Sequence, residues 1–349
     1  METKIPVGIL GATGMVGQHF VKFLENHPWF ELAWVGASDR SSGKLYREAT
    51  SWRLGGSMPA GVESMQVQDC KPGNAPRLVF SATDASVATE IEQAFATAGH
   101  VVVSNSRNHR MDPDVPLLIP EINPQHLKII PLQQRLRGWN GMIVTNPNCA
   151  TMVLAMALAP LKQFGITTVV VTTMQAISGA GYPGVASMDI NANVIPFIGG
   201  EEEKMQQETQ KILGDFTGDA IRSLPAKVSA QCNRVPVVDG HMVAASFALE
   251  RKPPVADVIQ ALASFTSVPQ QRKLPSAPQH PITYMPQQDR PQPRRDAERD
   301  HGMGTFVGRV RECPALGYKL IALQHNTIRG AAGAAVLNAE LMYSEGLLD

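Results

Sequence analysis

The N-terminal segment restricts the fold of this chain more than any other part of its sequence. An apolar strand over residues 7–10 runs into a turn in which Gly11, Gly14 and Gly17 recur at three-residue spacing. Small residues let the backbone approach a pyrophosphate, which then lies at the N-terminus of the following helix. An amphipathic helix is predicted over residues 18–26. This order of elements predicts a dinucleotide-binding site.

Further strand-like runs indicate the sheet that would carry this site. Strands are predicted over residues 31–36, 77–83 and 101–106, with a helix over residues 86–98. Open parallel sheets bind ligands at the carboxyl ends of their strands. Residues 1–149 are therefore predicted to form an α/β, doubly wound (Rossmann) nucleotide-binding domain.

The end of the second strand indicates which cofactor would bind. An NAD-selective site places an acidic residue there to bind the ribose hydroxyls. This strand instead ends near Ser38 and Arg40. Ser41 and Lys44 follow, and together these groups suit the 2′-phosphate of NADP. Asp39 argues for NAD, and a solvated loop would have a similar composition, but the residues favour NADP.

A cysteine follows a tight turn after the predicted strand over residues 142–144. Residues 146–148 read Asn-Pro-Asn, Cys149 comes next, and an apolar helical run covers residues 151–159. A thiol at a helix start lies near free N–H groups and the positive end of the helix dipole, which favour the thiolate. The same N–H groups can hold an oxyanion. Free cysteines are usually buried hydrophobes, but the turn favours a nucleophile.

The pattern after residue 166 is that of an α+β domain. Its predicted strands cover residues 167–175, 228–238, 242–250 and 316–324, and its helices cover residues 201–213 and 255–265. This mixture predicts a largely antiparallel sheet with helices on one face, in a domain spanning residues 150–329. The proline-rich stretch 274–300 is predicted to be a surface excursion ordered by a subunit contact. The last helix, from residue 330, begins with small residues and is predicted to pack on the first domain.

Composition excludes several classes of protein. The 349 residues carry a net charge of zero, which argues against nucleic-acid binding. The sequence contains no run of about 18 apolar residues, the length that would indicate a membrane span. The chain enters a strand at Ile5, so we expect no signal peptide. The four cysteines fit no zinc spacing, so we expect no metal and a reducing, cytoplasmic location.

A cysteine nucleophile needs a base, and His241 is the best candidate, with Arg234 close by in sequence. Glu201 and Lys204 would share one face of a helix. A histidine in a turn is often only hydrogen-bonded surface, and acidic residues at a helix start often only complement its dipole. These residues alone leave both interpretations open.

A series of motifs in chain order resembles the aspartate-semialdehyde dehydrogenase family. The motifs are TGMVG (13–17), SNS (104–106), PDVPL (113–117), PEIN (120–123), NPNC (146–149), QAISGAG (175–181), GEEEK (200–204), RVP (234–236), GH (240–241) and NTIRGAAG (326–333). Residues 193–200 and 274–278 are similar to the archaeal and fungal branch. The resemblance covers nearly the whole chain.

The resemblance implies a role for each matching residue. Cys149 would be the acylated nucleophile, His241 the general acid/base, and Gln175 would orient the thioester. Arg234 would hold the substrate α-carboxylate in a bidentate pair, and Glu201 its ammonium group. The phosphate-binding residues would be Arg110 and Lys204, assisted by Asn148. The cofactor-binding residues would be Gly11, Thr13, Gly14, Met15, Val16, Ser38, Arg40, Ser41, Ser81, Ser178, Gly179 and Asn326.

The implied reaction is the NADPH-dependent reduction of L-aspartyl 4-phosphate to L-aspartate 4-semialdehyde and phosphate, in lysine, methionine and threonine biosynthesis. A homodimer or homotetramer through the second domain is implied as well. Ala150, where many relatives have serine, departs from the pattern. The alternatives are a malonyl-CoA-type acyl-CoA reductase, an N-acetyl-glutamyl-phosphate reductase and, from another class, a catalytically idle nucleotide sensor.

Overall fold

The computed structural model describes residues 4–348, which form two six-stranded sheets and a separate two-stranded ribbon. The strands are β1 (Ile5–Leu10), β2 (Phe30–Ala37), β3 (Gln68–Asp69), β4 (Leu78–Ser81), β5 (Val101–Ser104), β6 (Met142–Thr145), β7 (Ile166–Gln175), β8 (Asp215–Phe216), β9 (Ile221–Arg222), β10 (Lys227–Arg234), β11 (His241–Leu249), β12 (Ile282–Met285), β13 (Thr305–Cys313) and β14 (Gly317–Gln324). The helices are α1 (Met15–Leu24), α2 (Tyr46–Ala49), α3 (Ala85–Thr97), α4 (Ile130–Arg137), α5 (Cys149–Leu158), α6 (Ser187–Ile190), α7 (Glu201–Ile212), α8 (Val255–Ala263), α9 (Val268–Gln271), α10 (Pro293–Asp296) and α11 (Gly333–Ser344). None of the helices in this part of the chain is long and apolar enough to cross a bilayer.

The first sheet is parallel throughout and has the strand order β3-β2-β1-β4-β5-β6. Every residue of β4, β5 and β6 is buried, as expected when helices cover both faces of a sheet. The strand order changes direction at β1, so the carboxyl ends of β1 and β4 border a crevice. The predicted doubly wound domain is confirmed.

The second sheet has the order β10-β7-β11-β14-β13-β12. The three central pairings are antiparallel, and the pairings at both edges are parallel. Apolar residues of α5 and α8 share one core with the inner face of this sheet, whereas Val170 on its other face is exposed. The predicted second domain with a largely antiparallel sheet is confirmed.

Two predictions about the second half of the chain are wrong in detail. The stretch 274–300 is not a surface excursion throughout, since Leu274 is buried in the core of the first domain and β12 pairs with β13. The sequence analysis predicted neither β12 nor β13, because prolines surround β12 and the register of β13 shifts after Gly308. The strand predicted over residues 228–238 ends at Arg234, shortly before Pro236, which has no N–H to donate.

The last helix packs against the first sheet. A wide turn, Ile328–Ala332, leads into α11. Val336 and Leu341 of α11 belong to the same buried cluster as Val7 and Phe20 of the first domain. Helix α11 therefore shares the hydrophobic core of the first sheet.

Candidate active site

Cys149 lies at the start of α5, between the two sheets. The helix is buried on every side from Ala150 to Leu158, which is typical of a core helix. Asn148 caps it, because its Oδ1 accepts from the N–H groups of Ala150 (2.9 Å) and Thr151 (3.1 Å). Among the described residues only the Cys149 N–H of this first turn has no acceptor. An oxyanion would thus meet one free amide, not the several that the sequence indicated.

The sulfur of Cys149 lies 3.1 Å from Nε2 of His241. His241 is the first residue of β11 and is fully buried, and its Nδ1 accepts from the backbone N–H of Ala176 (3.0 Å). A neutral imidazole whose Nδ1 accepts carries its proton on Nε2. That proton therefore faces the sulfur, and His241 is arranged as a hydrogen-bond donor to Cys149. To accept a proton at Nε2, the ring would first have to lose its bond to Ala176.

Burial decides the charge of this pair. It raises the pKa of Cys149 to about 12, assisted by the Glu201 carboxylate and opposed by Arg110, Arg234 and the Ala150 N–H. It also lowers the pKa of His241 to about 3. At neutral pH the pair without substrate is a thiol beside a neutral imidazole. The predicted lowering of the thiol pKa is wrong for this state, because desolvation outweighs the helix N-terminus.

Helix α7 presents a row of charged residues at the spacing of one helical face: Glu201, Lys204, Glu208 and Lys211. The first two form an ion pair (2.9 Å), and both Oε atoms of Glu201 also accept from Nδ2 of Asn148 (3.0 and 2.8 Å). The side chain of Asn148 is thus engaged as a cap and as a support for Glu201, instead of being held free for phosphate. Glu201 and Lys204 neutralise each other in the absence of a ligand.

Arg110 lies on the loop after β5. Its Nη1 donates to Oε1 of Glu208 (3.0 Å), and its Nη2 donates to the carbonyl oxygen of Asn105 (2.8 Å). A cavity of about 360 Å³ is lined in part by Arg107, Arg110 and Lys204. The two predicted phosphate ligands, Arg110 and Lys204, therefore border one cavity.

The turn after β7 brings the other predicted substrate residues together. Nη1 of Arg234 donates to the carbonyl oxygen of Ala176 (2.8 Å), and Nε2 of Gln175 donates to Oγ1 of Thr173 (3.3 Å). A Cβ on Gly179 would lie 2.8 Å from Cε1 of His241 and 3.1 Å from Nη1 of Arg234. Only glycine fits at this position, and the turn lies against both side chains.

The glycine turn after β1 is tight, and the helix that follows it starts without a side-chain cap. Gly11 has φ +76°, and a Cβ on it would lie 2.6 Å from the carbonyl oxygen of Ala82. Helix α1 begins at Met15, directly after Gly14, and no side chain caps it. The first-turn N–H groups, including those of Met15 and Val16, therefore remain available to an anion, and Thr13 lies in the same turn.

The remaining predicted cofactor residues fall into three groups. Ser38, Arg40 and Ser41 form a turn at the end of β2, with the Ser41 N–H donating to the Ser38 carbonyl oxygen (2.8 Å). Asn326 donates from Nδ2 to Oγ of Ser178 (2.7 Å), which joins two predicted contacts. The hydroxyl of Ser81 is fully buried and lies 3.0 Å from that of Thr83, so it does not reach the crevice. Residues 4–348 contain no cluster of side chains suited to a metal ion.

Known proteins resemble the chain in both halves and over its whole length. A family model described as the semialdehyde dehydrogenase NAD binding domain matches residues 6–130, and one described as the semialdehyde dehydrogenase dimerisation domain matches residues 158–329. The aspartate-semialdehyde dehydrogenase of Archaeoglobus fulgidus is 48% identical over 99% of this chain and 100% of that protein. The chain belongs to the aspartate-semialdehyde dehydrogenase family.

Other members of the aspartate-semialdehyde dehydrogenase family agree. The enzyme of Saccharomyces cerevisiae is 43% identical over the full length of both chains. A crystal structure of the Candida albicans aspartate-semialdehyde dehydrogenase with NADP has a TM-score of 0.92 at 42% identity, covering 99% of this chain and all of that one. The resemblance to the archaeal and fungal branch is confirmed, and the acyl-CoA reductase alternative is not favoured.

The sequence analysis missed two buried residues of the candidate site, Glu208 and Lys211. Both were visible as charged residues on the same helical face as Glu201 and Lys204. Gly330 was also missed, although a Cβ on it would lie 2.7 Å from Cβ of Cys149. Each belongs to a matched motif or helix, but only the fold places it beside the site.

One prediction concerns the charge next to the sulfur. Replacing Glu201 with glutamine removes a negative charge that raises the Cys149 pKa, so the thiolate fraction below that pKa should increase. We expect alkylation of Cys149 by iodoacetamide at pH 8 to accelerate several-fold. Labelling must be read at the Cys149 peptide by mass spectrometry, because the amides of Leu316 and Ala315 lower the pKa of Cys313. The control is Glu203→Gln on the exposed side of α7; equal rates in both variants would contradict the effect.

Proposed function

We propose that the protein interconverts L-aspartyl 4-phosphate and L-aspartate 4-semialdehyde plus phosphate, with NADP(H) as cofactor and Cys149 as nucleophile. The observation that carries the proposal is the contact between the Cys149 sulfur and Nε2 of His241, with Arg234 and Glu201 close enough to shift the thiol pKa. The cationic side chain suits the carboxylate of an amino-acid substrate, and the anionic one suits its ammonium group.

The turn after β1 supports the proposed cofactor. Its glycine geometry and the uncapped start of α1 fit a pyrophosphate. Arg40 and Ser41 at the end of β2 are the proposed contacts of a 2′-phosphate, and the Ser178–Asn326 pair is proposed to border the nicotinamide. When bound, the cofactor supplies or accepts the hydride. The solved relative from Candida albicans contains NADP.

The arrangement of the side chains supports an order of steps for the acylation of Cys149. Docking of the substrate ammonium on Glu201 would offset the charge that raises the Cys149 pKa, and the thiolate would then attack the acyl carbon. The bond between the acyl carbon and the phosphate oxygen breaks, and phosphate departs towards Arg110 and Lys204 as hydrogen phosphate, so the proton that the thiol lost is balanced by the proton that phosphate gains. The thioester divides a difficult reduction into two easier steps. Gln175 would orient it.

We propose that His241 acts as the general acid/base. The hydrogen bonds of its ring support the role of proton donor more than that of proton acceptor. Its Nε2–H is placed to stabilise the oxyanion of each tetrahedral intermediate and the sulfur that departs when the aldehyde forms.

We further propose that the boundary between the two domains lies between residues 149 and 150, with the chain beyond residue 329 returning to the first domain. A cytoplasmic homodimer or homotetramer completes the proposal, and the dimerisation-domain match supports its dimer.

The test is an assay of the purified protein that resolves substrate and cofactor. Aspartate semialdehyde, phosphate and NADP together should produce NADPH. Omitting phosphate should stop steady-state turnover, and NAD should support a lower kcat/KM than NADP. Malonate semialdehyde with coenzyme A should give no product. Turnover that does not depend on phosphate would remove the phosphorylating reaction from consideration.

A further inference from the structure

We propose that Glu208 is a positioning residue that couples the phosphate-binding Arg110 to the turn that carries Cys149. The proposal rests on the function proposed above, in which Arg110 binds phosphate and Cys149 is acylated. Glu208 reaches neither group of reacting atoms itself. It acts through the two parts of the site that must be aligned when the bond between acyl carbon and phosphate breaks or forms.

Each oxygen of the Glu208 carboxylate has its own donor. Oε1 accepts from Nη1 of Arg110 at 3.0 Å, and Oε2 accepts from the backbone N–H of Asn148 at 2.6 Å. Glu208 is 1% exposed and Arg110 is 8% exposed, so both contacts are shielded from water. Buried, charge-assisted bonds of this kind are strong and directional. One carboxylate therefore sets the distance between the guanidinium and the residue before the nucleophile.

The contact with Asn148 completes the cap of α5 from another helix. In a capping box, a glutamate of the same helix accepts from the N–H of the cap residue. In this protein α5 has Thr151 at that position, and Glu208 of α7 supplies the carboxylate instead. The Asn148 side chain already satisfies the next two amides. Glu208 thus fixes the backbone from which the Cys149 side chain projects.

Lys211, one turn further along α7, fixes the other end of the arrangement. Its Nζ donates to the carbonyl oxygens of Arg110, Asp112 and Val115, at 2.7, 2.7 and 2.8 Å. Those three bonds hold the backbone of the loop that carries Arg110. With that backbone fixed by Lys211, the guanidinium is positioned by two contacts, one with the Asn105 carbonyl oxygen and one with Glu208, and Glu208 is the one that also holds the turn before Cys149.

Glutamine cannot replace Glu208 in this arrangement. Both partners are N–H donors, and an amide offers one acceptor oxygen and one donor nitrogen. Whichever way the amide turns, its NH₂ group faces either Arg110 or the Asn148 N–H, and a buried donor loses its partner. Glu208→Gln therefore preserves size and shape while breaking one of the two links.

The kinetic test compares Glu208→Gln with Glu203→Gln, which makes the same chemical change on the exposed side of α7. With aspartate semialdehyde, NADP and inorganic phosphate, we expect Glu208→Gln to raise the phosphate KM about tenfold and to lower kcat, with the aldehyde KM within about twofold of wild type. In the Arg110→Ala background, Glu208→Gln should raise the phosphate KM no further. A purely structural role would lower kcat without this selective change, and that result would overturn the proposal.

Glu208→Asp is the substitute if Glu208→Gln does not fold. Its side chain is too short to reach both donors, so we expect the same changes in the phosphate KM and in kcat.

A binding measurement separates failure of this inference from failure of the proposed function. Inorganic phosphate should slow alkylation of Cys149, and half-protection should require about tenfold more phosphate in Glu208→Gln than in wild type or Glu203→Gln. Equal protection in all three proteins would overturn the role of Glu208 alone. An absence of protection in the wild type would overturn the phosphate site itself, and the role of Glu208 with it.

Discussion

Replacing Cys149 with alanine should abolish turnover with aspartate semialdehyde, phosphate and NADP, to less than about one part in a thousand of the wild-type rate. The sulfur is the nucleophile that contacts His241, and without it no thioester forms. The remaining side chains would still bind the aldehyde and the cofactor. We therefore expect quenching of protein fluorescence by added NADPH to give an unchanged dissociation constant.

The matched control for this variant is Cys313→Ala. Cys313 ends β13 and pairs with Gly317, at the opposite end of β14 from Gln324, which pairs with His241, and neighbouring amides lower the pKa of Cys313. It is thus the more acidic thiol of the two, while Cys149 has the contact with His241. If activity depends on the contact with His241 and not on the acidity of the thiol, Cys313→Ala keeps full activity and Cys149→Ala loses it. Residual turnover of Cys149→Ala above the stated limit, in protein with an unchanged Tm, would remove the covalent mechanism.

The fold was predictable where local sequence decides structure. The glycine turn after β1 requires small residues in order, and runs such as Val101–Val103 are apolar throughout because parallel strands are covered on both faces. The edge strand β12 was not predictable, since four residues among prolines carry no periodicity and depend on β13 for their pairing. Local signals therefore gave the first sheet more completely than the second.

The residues of the candidate site could be named from the sequence, but their charges could not. A cysteine at a helix start was predicted to be a thiolate, and the helix does act in that direction. How deeply α5 lies in the core, and that Glu201 lies beside the sulfur, are properties of the whole fold. Glu208 is separated from Arg110 by 98 positions and from Asn148 by 60, so no local pattern joins them. The only local indication of its position was that Glu208 shares one face of α7 with Glu201 and Lys204.

Replacing Arg234 with leucine should raise the aldehyde KM by roughly a hundredfold, because a bidentate, charge-assisted pair contributes about 3 kcal/mol. Arg234 ends β10 and is 6% exposed, and within the described residues its side chain donates only to the carbonyl oxygen of Ala176. Its other donors are thus free to hold a substrate carboxylate. Arg234 also lowers the Cys149 pKa, so the variant should be alkylated more slowly at a given pH.

Two further variants separate the geometry of Arg234 from its charge. Arg234→Lys keeps the positive charge but not the planar fork, so it should recover most of the alkylation rate and only part of the aldehyde affinity. Arg222→Leu removes an exposed arginine from β9 and should leave both quantities unchanged. An aldehyde KM for Arg234→Leu equal to that of wild type would show that another group holds the carboxylate. A KM restored fully by lysine would mean that charge alone, without the bidentate fork, accounts for substrate recognition at this position.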